Sequence, residues 1–416
     1  MTFTKLSANL TPIEDTVFAV VSKAKQAKEE IGSEKVVDAT IGSLYNENEV
    51  IVAFNSVFNN YDAISKEIKA AYASSFTGNP EFREQVANWT IGQADVKLAS
   101  SVIATPGGTG AVSMTFSDIL EEGETVIIPD IAWGSYALMA TDKQLKSKTY
   151  QMFDGNSFNI ESLKETVLSV IDQQNRICIV INDPCHNPTG YTMTQKEWEE
   201  VISFMNECSK KVPCVILNDI AYIDYSYDLN NSRKYMETFN KISDNVMVVV
   251  AFSCSKTMTS YGLRCGAAIL LAQSADLVRQ SEIVFEKSAR SIWSNIPNAA
   301  MKNFSDVTTK YYSAFMLEKS KYIDLLEARS AIFLSEARLC NLPLYPYKEG
   351  FFITIKIEDN EKRNRFHDAL IKEYIFTVKV NKGIRVAICS LSVEKSKGLA
   401  LRLKTIYDCL DQPSII

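Results

Sequence analysis

Beyond residue 100, the sequence alternates short apolar runs with longer amphipathic stretches, and few folds satisfy that alternation. Six runs rich in valine, isoleucine and leucine cover residues 101–105, 125–130, 177–183, 214–219, 246–252 and 265–272. Because the runs are continuous rather than alternating in polarity, they indicate strands that are covered on both faces. The sequence therefore predicts an α/β fold, in which a mostly parallel sheet is wrapped by helices.

The pattern changes after about residue 300, which indicates a second, smaller domain. A long helical pattern over residues 313–339 precedes the apolar run GFFITIKI at 350–357, and a further helical pattern precedes GIRVAICSL at 383–391. This order is typical of an α+β unit. A chain of 416 residues also exceeds the usual size of one compact domain.

Charge and cysteine content exclude several classes of function. The net charge of −6 provides no basic surface for nucleic acid or membrane lipid. The nine cysteines form no C-x-x-C pair and the chain has two histidines, so no metal site is expected and the cysteines are interpreted as buried free thiols. Since the N-terminus has no apolar signal core and no run approaches membrane-spanning length, we expect a cytoplasmic protein.

Polar residues follow four of the predicted strands at the point where each strand ends. The run 101–105 continues into PGGTG, 177–183 into PCHNPTG and 246–252 into SCSK, while 214–219 ends on Asp219. Open α/β sheets bind ligands beyond the carboxyl ends of their strands. The four strand ends therefore predict a single site at one edge of the sheet.

The glycine-rich turn PGGTG, residues 106–110, suits a phosphate group. Its glycines let backbone N–H groups approach an anion at the start of a helix, where the potential is positive. A tight turn without a ligand explains the same residues. Turn chemistry alone also explains NPTG at residues 187–190.

Asp219 closes an otherwise apolar run, where a carboxylate is costly unless it meets a cation or hydrogen-bond donors. A helix N-cap or a structural ion pair would meet that need, and so would a bound cation.

Lys256 presents the complementary problem. A protonated lysine is unfavourable beside the positive end of a helix, and a desolvated amine tends to lose its proton. Low proton affinity is also what a lysine needs when it forms a Schiff base. Ser253, Ser255 and Arg264 flank it and could donate hydrogen bonds to a phosphate, although a lysine on a surface loop would need no ligand.

Together these features indicate one ligand, pyridoxal 5'-phosphate (PLP). Its aldehyde would take the lysine, and its phosphate would take the glycine, serine and arginine donors. Its ring nitrogen stays protonated when it is paired with a carboxylate, which makes the ring an electron sink.

Four motifs, in this order along the chain, resemble those of a known family. GGTG at 107–110, HNPTG at 186–190, DIAY at 219–222 and the segment from Ser253 to Gly266 are similar to class I aminotransferases, in the aspartate and aromatic amino-acid branch. The resemblance covers most of the chain and implies the PLP transferase fold of type I, with a seven-stranded sheet. It implies three parts, which are a large domain at 48–300, a small domain at 12–47 plus 301–416, and an N-terminal arm at 1–11.

The resemblance also implies roles around the cofactor. Lys256 matches the lysine that binds PLP and shuttles the proton, Asp219 matches the partner of the ring nitrogen, and Tyr222 and Asn187 match the pair at the ring hydroxyl. The phosphate ligands would be Gly108, Thr109, Ser253, Ser255 and Arg264. Trp133 matches the aromatic residue that stacks on the ring, although a core tryptophan would look the same in sequence. Gly107 stands where the aspartate branch often has serine.

Three further residues match positions around the substrate, where Asn187 also lies, and a fourth, Tyr72, matches a position at the cofactor. Arg385 matches the arginine that binds the α-carboxylate, and Gly42 matches the loop glycine at the mouth of the site. Tyr72 resembles the tyrosine that reaches the phosphate of the neighbouring subunit. Arg290 resembles the arginine that crosses the dimer interface to bind a dicarboxylate side chain, although an exposed arginine at a helix end is an open alternative.

The resemblance thus implies a homodimeric aminotransferase with shared active sites, acting on amino acids and 2-oxo acids in two half-reactions. The amino donor would be aspartate, glutamate or an aromatic amino acid. A β-lyase, a decarboxylase or another PLP enzyme would use the same cofactor residues, and a non-catalytic PLP-binding sensor is a further alternative. No nucleic-acid or membrane partner is expected.

Overall fold

A computed structural model describes residues 3–5, 10–12, 16–92 and 94–410. Parts of the predicted N-terminal arm, at 1–2 and 6–9, lie outside the described residues, as do 13–15 and 411–416 of the predicted small domain.

The strands of the described residues belong to one large sheet and several small ones. They are β1 (Val37–Asp38), β2 (Ala99–Thr105), β3 (Thr125–Pro129), β4 (Lys146–Tyr150), β5 (Phe153–Asp154), β6 (Ser157–Phe158), β7 (Ile177–Asn182), β8 (Cys214–Asp219), β9 (Val246–Ser253), β10 (Gly266–Ala272), β11 (Phe352–Lys356), β12 (Ile375–Phe376), β13 (Val378–Val380) and β14 (Gly383–Ala387).

Helices fill most of the connections between these strands. They are α1 (Thr16–Ile31), α2 (Asn55–Ala63), α3 (Lys66–Ala70), α4 (Pro80–Thr90), α5 (Gly107–Ile119), α6 (Ser135–Asp142), α7 (Ile160–Ile171), α8 (Gln195–Cys208), α9 (Cys254–Thr257), α10 (Ala275–Ile292), α11 (Asn298–Thr309), α12 (Tyr312–Leu339), α13 (Asn360–Lys372), α14 (Val393–Ser396) and α15 (Leu399–Cys409).

The large sheet has seven strands in the order β2-β10-β9-β8-β7-β3-β4. Strand β10 is antiparallel to both of its neighbours, and the other neighbouring pairs are parallel. The predicted α/β fold with a mostly parallel, seven-stranded sheet is therefore confirmed. The sequence missed the edge strand β4, KSKTY, because its first four residues are exposed and carry no apolar run.

Both faces of the large sheet are buried, as the continuous apolar runs predicted. In β8, Val215 and Leu217 belong to one core cluster and Ile216 belongs to the other. Side chains of a strand alternate between faces, so a strand covered on both sides needs apolar residues at every position. Burying each such side chain contributes about 1.5–3 kcal/mol.

The C-terminal part forms a second, three-stranded antiparallel sheet in the order β11-β14-β13. The N-terminal segment joins it through a parallel pair, in which Val37 lies opposite Ile375 and Asp38 opposite Phe376. This pairing brings residues before 48 into contact with residues after 300, and the domain boundaries themselves stay predictions.

The carboxyl ends of the parallel strands meet at one edge of the large sheet. Asp219 ends β8, and Ser253 ends β9 directly before α9. Strand β10 runs the other way, so it begins at this same edge, where Gly266 lies opposite both Thr105 and Ser253. The residues just before β10 are therefore brought to the edge at which α5 and α9 begin.

Candidate functional site

A cleft with about 650 Å³ of empty space lies at this edge of the sheet. Its lining includes ten of the residues predicted from the sequence, namely Gly108, Thr109, Trp133, Asn187, Asp219, Tyr222, Ser253, Ser255, Lys256 and Arg264. A wider cleft of about 2010 Å³ shares Trp133, Asn187, Tyr222 and Lys256 with it and adds Gly42 and Arg385. Two predicted residues, Tyr72 and Arg290, line neither cleft.

Lys256 lies in the single turn of α9, with its amine directed into the cleft. The Nζ atom donates a hydrogen bond to Gly42 O at 3.3 Å and lies 4.8 Å from the centroid of the Tyr261 ring. Burial lowers the pKa of the Lys256 ammonium to about 8, and the charges of Arg385 and Arg264 act in the same direction. A neutral, nucleophilic amine is therefore accessible near physiological pH.

We expect the reactivity of the Lys256 amine to rise as the pH increases through about 8 in the ligand-free protein. Only the neutral amine attacks an acylating reagent. The pKa of an ordinary exposed lysine is about 10.4, so its reactivity rises at a higher pH. Brief labelling with acetic anhydride at pH values from 6 to 10, followed by peptide mass spectrometry, measures the profile of each lysine. A Lys256 profile that matches those of the exposed lysines would contradict the lowered pKa.

Asp219 is a buried carboxylate that meets neutral hydrogen-bond donors. Its Oδ2 accepts a hydrogen bond from the Tyr136 hydroxyl at 2.6 Å, and its Oδ1 accepts one from Ala221 N at 3.0 Å. Burial raises the pKa of Asp219, and these bonds together with Lys256 oppose the rise. Among the described residues, no lysine or arginine nitrogen lies within 4 Å of this carboxylate, so the structural ion pair considered from the sequence is not observed. The carboxylate can therefore pair with a ligand cation.

Two residues that contact Asp219 were not predicted from the sequence to be part of the site. Tyr136 is fully buried in the first turn of α6, three positions after Trp133. Asn182 ends β7, where its side-chain amide donates to Asp219 O at 2.7 Å and its Oδ1 accepts from Asn187 N at 2.7 Å. Asn182 could have been found by the strand-end rule, because it is the polar residue that closes the run ICIVIN.

The first turn of α5 and the segment before β10 form a set of donors for an anion. Gly108 and Thr109 lie at the N-terminus of this 13-residue helix, beside Ser253 and Ser255. Arg264 Nη1 donates to Ser255 Oγ at 3.3 Å and to Tyr261 O at 2.9 Å. Backbone N–H groups, hydroxyls and a guanidinium are the donors that bind phosphate groups in proteins.

The glycine at position 107 has a local physical cause. Gly107 has φ +73°, and a Cβ atom there would lie 2.7 Å from Arg264 Nη2. A serine at this position would be strained by its backbone and would displace the arginine. The glycine thus lets Arg264 lie close to the start of α5 in its observed position.

Arg385 lies in the middle of β14 and is 8% exposed. Its Nη2 donates to Thr40 O at 2.8 Å and its Nη1 to Asn187 Oδ1 at 3.3 Å, while its Nε is buried without a hydrogen-bond partner. Among the residues that the structure describes, no carboxylate oxygen lies within 4 Å of the guanidinium. A buried arginine with an unused donor fits a ligand carboxylate.

The loop that carries Gly42 closes one side of the wider cleft. A Cβ atom at Gly42 would lie 2.8 Å from Cζ of Phe352 and 3.7 Å from the Tyr222 hydroxyl. The absence of a side chain therefore lets the loop backbone reach Lys256. Phe352 also lies under Arg385, whose guanidinium carbon is 4.3 Å from the ring centroid.

Tyr72 and Arg290 lie on the surface of the chain, away from the clefts. Tyr72 is 86% exposed. Arg290 lies in the last turn of α10, where its Nη1 donates to Ser294 Oγ at 2.5 Å and its guanidinium stacks 4.6 Å from the centroid of Phe76. Within a single chain, Arg290 is thus an exposed arginine at a helix end.

Over the described ranges, no helix is both long and apolar enough to cross a membrane. In the same part of the chain, no group of three or more His, Cys, Asp or Glu side chains is arranged to hold a metal ion.

The sequence and the fold both match known aminotransferases. A sequence profile of the family described as aminotransferase class I and II matches residues 36–403. The crystal structure of an aminotransferase from Anaerococcus prevotii has a TM-score of 0.95 at 33% identity, over 98% of this chain and 100% of that chain. The aromatic-amino-acid aminotransferase from Burkholderia pseudomallei, solved covalently bound to pyridoxal phosphate, has a TM-score of 0.77 at 18% identity, over 98% of this chain and 100% of that chain.

Curated relatives align with lower identity. The mitochondrial aspartate aminotransferase of Schizosaccharomyces pombe is 24% identical over 245 residues, which are 57% of this chain and 53% of that protein. This match therefore spans about half the length of the relative. The histidinol-phosphate aminotransferase of Methanococcus maripaludis is 22% identical over 377 residues, which are 87% of this chain and 89% of that protein.

Proposed function

The chain belongs to the aminotransferase class I and II family, and from this premise we propose how its own residues carry out PLP-dependent transamination. The family, the fold and the cofactor class agree with those predicted from the sequence. The observation that carries the proposal is the placement of the Lys256 amine and the buried Asp219 carboxylate in one cleft.

The donor set of the cleft fits PLP. Asp219 would hold the protonated ring nitrogen, since this buried carboxylate otherwise meets neutral donors. Trp133 would stack on the ring, Tyr222 and Asn187 would bind the ring hydroxyl oxygen, and the phosphate would take Gly108, Thr109, Ser253, Ser255 and Arg264. The bound cofactor supplies an electron sink for the charge that develops when the substrate loses its α-proton.

The protein side of the mechanism depends on three groups. Arg385 binds the α-carboxylate of the amino acid through the guanidinium, which fixes the orientation of the Cα–H bond. Lys256 Nζ takes the α-proton, because its lowered pKa makes the neutral amine accessible. Asp219 holds the positive charge of the ring nitrogen, and the hydrogen bond from the Tyr136 hydroxyl supports the ionised form of the carboxylate.

We propose that the substrates are L-amino acids and 2-oxo acids with dicarboxylic or aromatic side chains. The names of similar proteins support this range, because they include an aspartate aminotransferase and an aromatic-amino-acid aminotransferase. The wider cleft of about 2010 Å³ offers apolar walls from Ile41, Ile128 and Val378, which suit a large apolar side chain. A dicarboxylic side chain would instead need a cation, which Arg290 of a second chain could supply.

The experiment for the function is an end-point assay with aspartate, phenylalanine and 2-oxoglutarate. A transaminase converts 2-oxoglutarate into glutamate in an amount equal to the amino acid consumed. Release of ammonia without glutamate would identify a β-lyase, and release of carbon dioxide would identify a decarboxylase. Either outcome would overturn the proposal while leaving the cofactor site in place.

We expect Arg385→Lys to lower kcat/KM for every amino acid by about 10²-fold. A lysine ammonium keeps the charge but cannot form the paired hydrogen bonds of a guanidinium, and the lost interaction is worth about 2–5 kcal/mol. The matched control is Arg402→Lys on the exposed side of α15, which should leave the kinetics unchanged. Unchanged kcat/KM in Arg385→Lys would remove this residue from the substrate site.

We propose that a homodimer completes the site. Tyr72 and Arg290 line neither cleft, and exposed apolar side chains lie in the same segments as these two residues. Phe76, Val284 and Ile292 are 41%, 45% and 61% exposed, in the same segments as Tyr72 and Arg290. Such exposed apolar side chains are typical of interaction surfaces.

Mixed dimers test the sharing of sites. Chains with Lys256→Ala and chains with Arg290→Leu should each be inactive toward aspartate. When they are coexpressed, one site of each mixed dimer has an intact Lys256 and an intact Arg290, so activity toward aspartate should return. No recovery in a dimer confirmed by sedimentation would contradict a contribution of Arg290 across the interface.

A further inference from the structure

A cluster of charged residues with buried side chains lies next to α9 and lines a further cleft of about 720 Å³. Asp224, Arg233 and Lys319 are 2%, 3% and 0% exposed, and none of them lines the cleft around Lys256. Asp224 pairs with Arg233, and its Oδ2 lies 3.9 Å from Lys319 Nζ. The cluster therefore holds two cations and one anion in the protein interior.

Two side chains from this region hold the carbonyl groups at the end of α9. Lys319 Nζ donates to Thr257 O at 2.8 Å, and the Tyr225 hydroxyl donates to Lys256 O at 3.0 Å. Across the described residues, no backbone N–H outside α9 donates to Thr257 O. The last carbonyls of a helix lack partners within the helix, and a cation is the favourable cap for that negative end.

Asp224 connects the same turn to the cluster. Its Oδ2 accepts hydrogen bonds from Thr257 Oγ1 at 2.5 Å and from Trp89 Nε1 at 3.0 Å. Burial opposes its ionisation, but the charges of Lys319 and Arg233 hold the pKa of Asp224 well below its usual range. Thr257, the residue after Lys256, is therefore bound both through its carbonyl and through its hydroxyl.

Burying the Lys319 ammonium costs free energy, which indicates that this charged side chain does more than fill space in the core. Its ammonium makes one hydrogen bond, to Thr257 O, and lies 5.0 Å from the centroid of Phe315 and 5.2 Å from that of Tyr225. Its carboxylate partner, Asp224, lies 3.9 Å away and also pairs with Arg233, so two buried cations share one anion. An apolar residue of similar size would leave Asp224 and Arg233 as a balanced pair. The ion pairing alone therefore does not require a lysine at this position.

We propose that Lys319 and Tyr225 are positioning residues. They bind the carbonyl groups at the C-terminal end of α9 and hold the Lys256 amine at the angle that proton transfer requires. This inference rests on the proposed role of Lys256. The α9 turn has four residues, and Thr259, two residues after its end, lies in the left-handed region at φ +47°, so few backbone bonds of the turn fix its direction. Small displacements of a catalytic group lower the rate strongly.

Lys319→Met is the first test. We expect kcat to fall about tenfold to a hundredfold, with KM for the amino acid within about threefold of wild type. The melting temperature should fall by no more than about 4 °C, because the removal of a buried charge offsets the lost hydrogen bond to Thr257 O. Without cofactor, amide hydrogen exchange at Met258 and Thr259 should be at least about threefold faster. The matched control is Lys321→Met on the exposed face of α12.

Tyr225→Phe is the second test, because it removes one hydroxyl and keeps the ring. Tyr225→Phe should also lower kcat. The double variant should lose less kcat than the product of the two separate fold losses. A wild-type kcat in both variants would overturn the proposal. A loss of kcat that comes with a fall in melting temperature of more than about 4 °C would also overturn it. Labelling of Lys256 by cofactor and borohydride is measured in parallel. If Lys256 of the wild-type protein is not labelled, the proposed function fails. The hydrogen-exchange measurement would still test whether Lys319 and Tyr225 stabilise the end of α9.

Discussion

Replacing Lys256 with alanine is expected to lower kcat by about 10⁴-fold while the protein still binds PLP and the amino acid. The substitution removes the proposed general base and leaves Asp219, Arg385 and the proposed phosphate ligands of the cleft in place. The measurement is a single-turnover assay with aspartate and with phenylalanine, followed by the absorbance of the cofactor.

The control for this variant is Lys321→Ala, which removes an exposed lysine from α12. Partial recovery of the rate on addition of a small primary amine would support the role of a neutral base, because the amine can occupy the space that the side chain leaves. Substantial transamination by Lys256→Ala without added amine would contradict the assignment.

Replacing Asp219 with asparagine is expected to lower kcat by about 10²- to 10³-fold. The amide keeps the size of the side chain but cannot stabilise a protonated ring nitrogen, and breaking a buried charge pair costs about 3–5 kcal/mol. Stopped-flow measurement of the first half-reaction reports this loss separately from substrate binding.

Tyr136→Phe provides the graded comparison for Asp219→Asn. It removes the hydroxyl that donates to Asp219 Oδ2 but leaves the carboxylate, so its effect should be smaller, at about tenfold. Equal rates for wild type and Asp219→Asn would show that the carboxylate does not act on the cofactor. A larger loss in Tyr136→Phe than in Asp219→Asn would assign the main role to the tyrosine.

The position of the site could be predicted because parallel strands place their carboxyl ends at one edge. Each of the polar motifs after 101–105, 177–183, 214–219 and 246–252 follows a buried run, and the structure brings all four to that edge. Strand direction could not be predicted in the same way. The run 265–272 is as apolar as the neighbouring runs, yet β10 is antiparallel. This reversal brings Arg264 to the edge where the proposed phosphate ligands lie.

Other parts of the site depend on contacts between segments that are distant in sequence. Lys319 lies 62 residues after Thr257, and nothing in the helical pattern 313–339 distinguishes it from the exposed lysines nearby. Tyr136 likewise cannot be distinguished in the sequence from other aromatic residues of amphipathic stretches. Tyr72 and Arg290 are exposed in the single chain, so their predicted roles depend on a second chain and stay predictions.

Covalent trapping tests the central assignment most directly. The enzyme loaded with PLP is reduced with sodium borohydride and digested, and the peptide that carries the added phosphopyridoxyl mass is sequenced. The proposed site predicts the mass on Lys256, with little on any other lysine, and its loss in Lys256→Ala. Stoichiometric labelling of another lysine, with Lys256 recovered unmodified, would contradict the account.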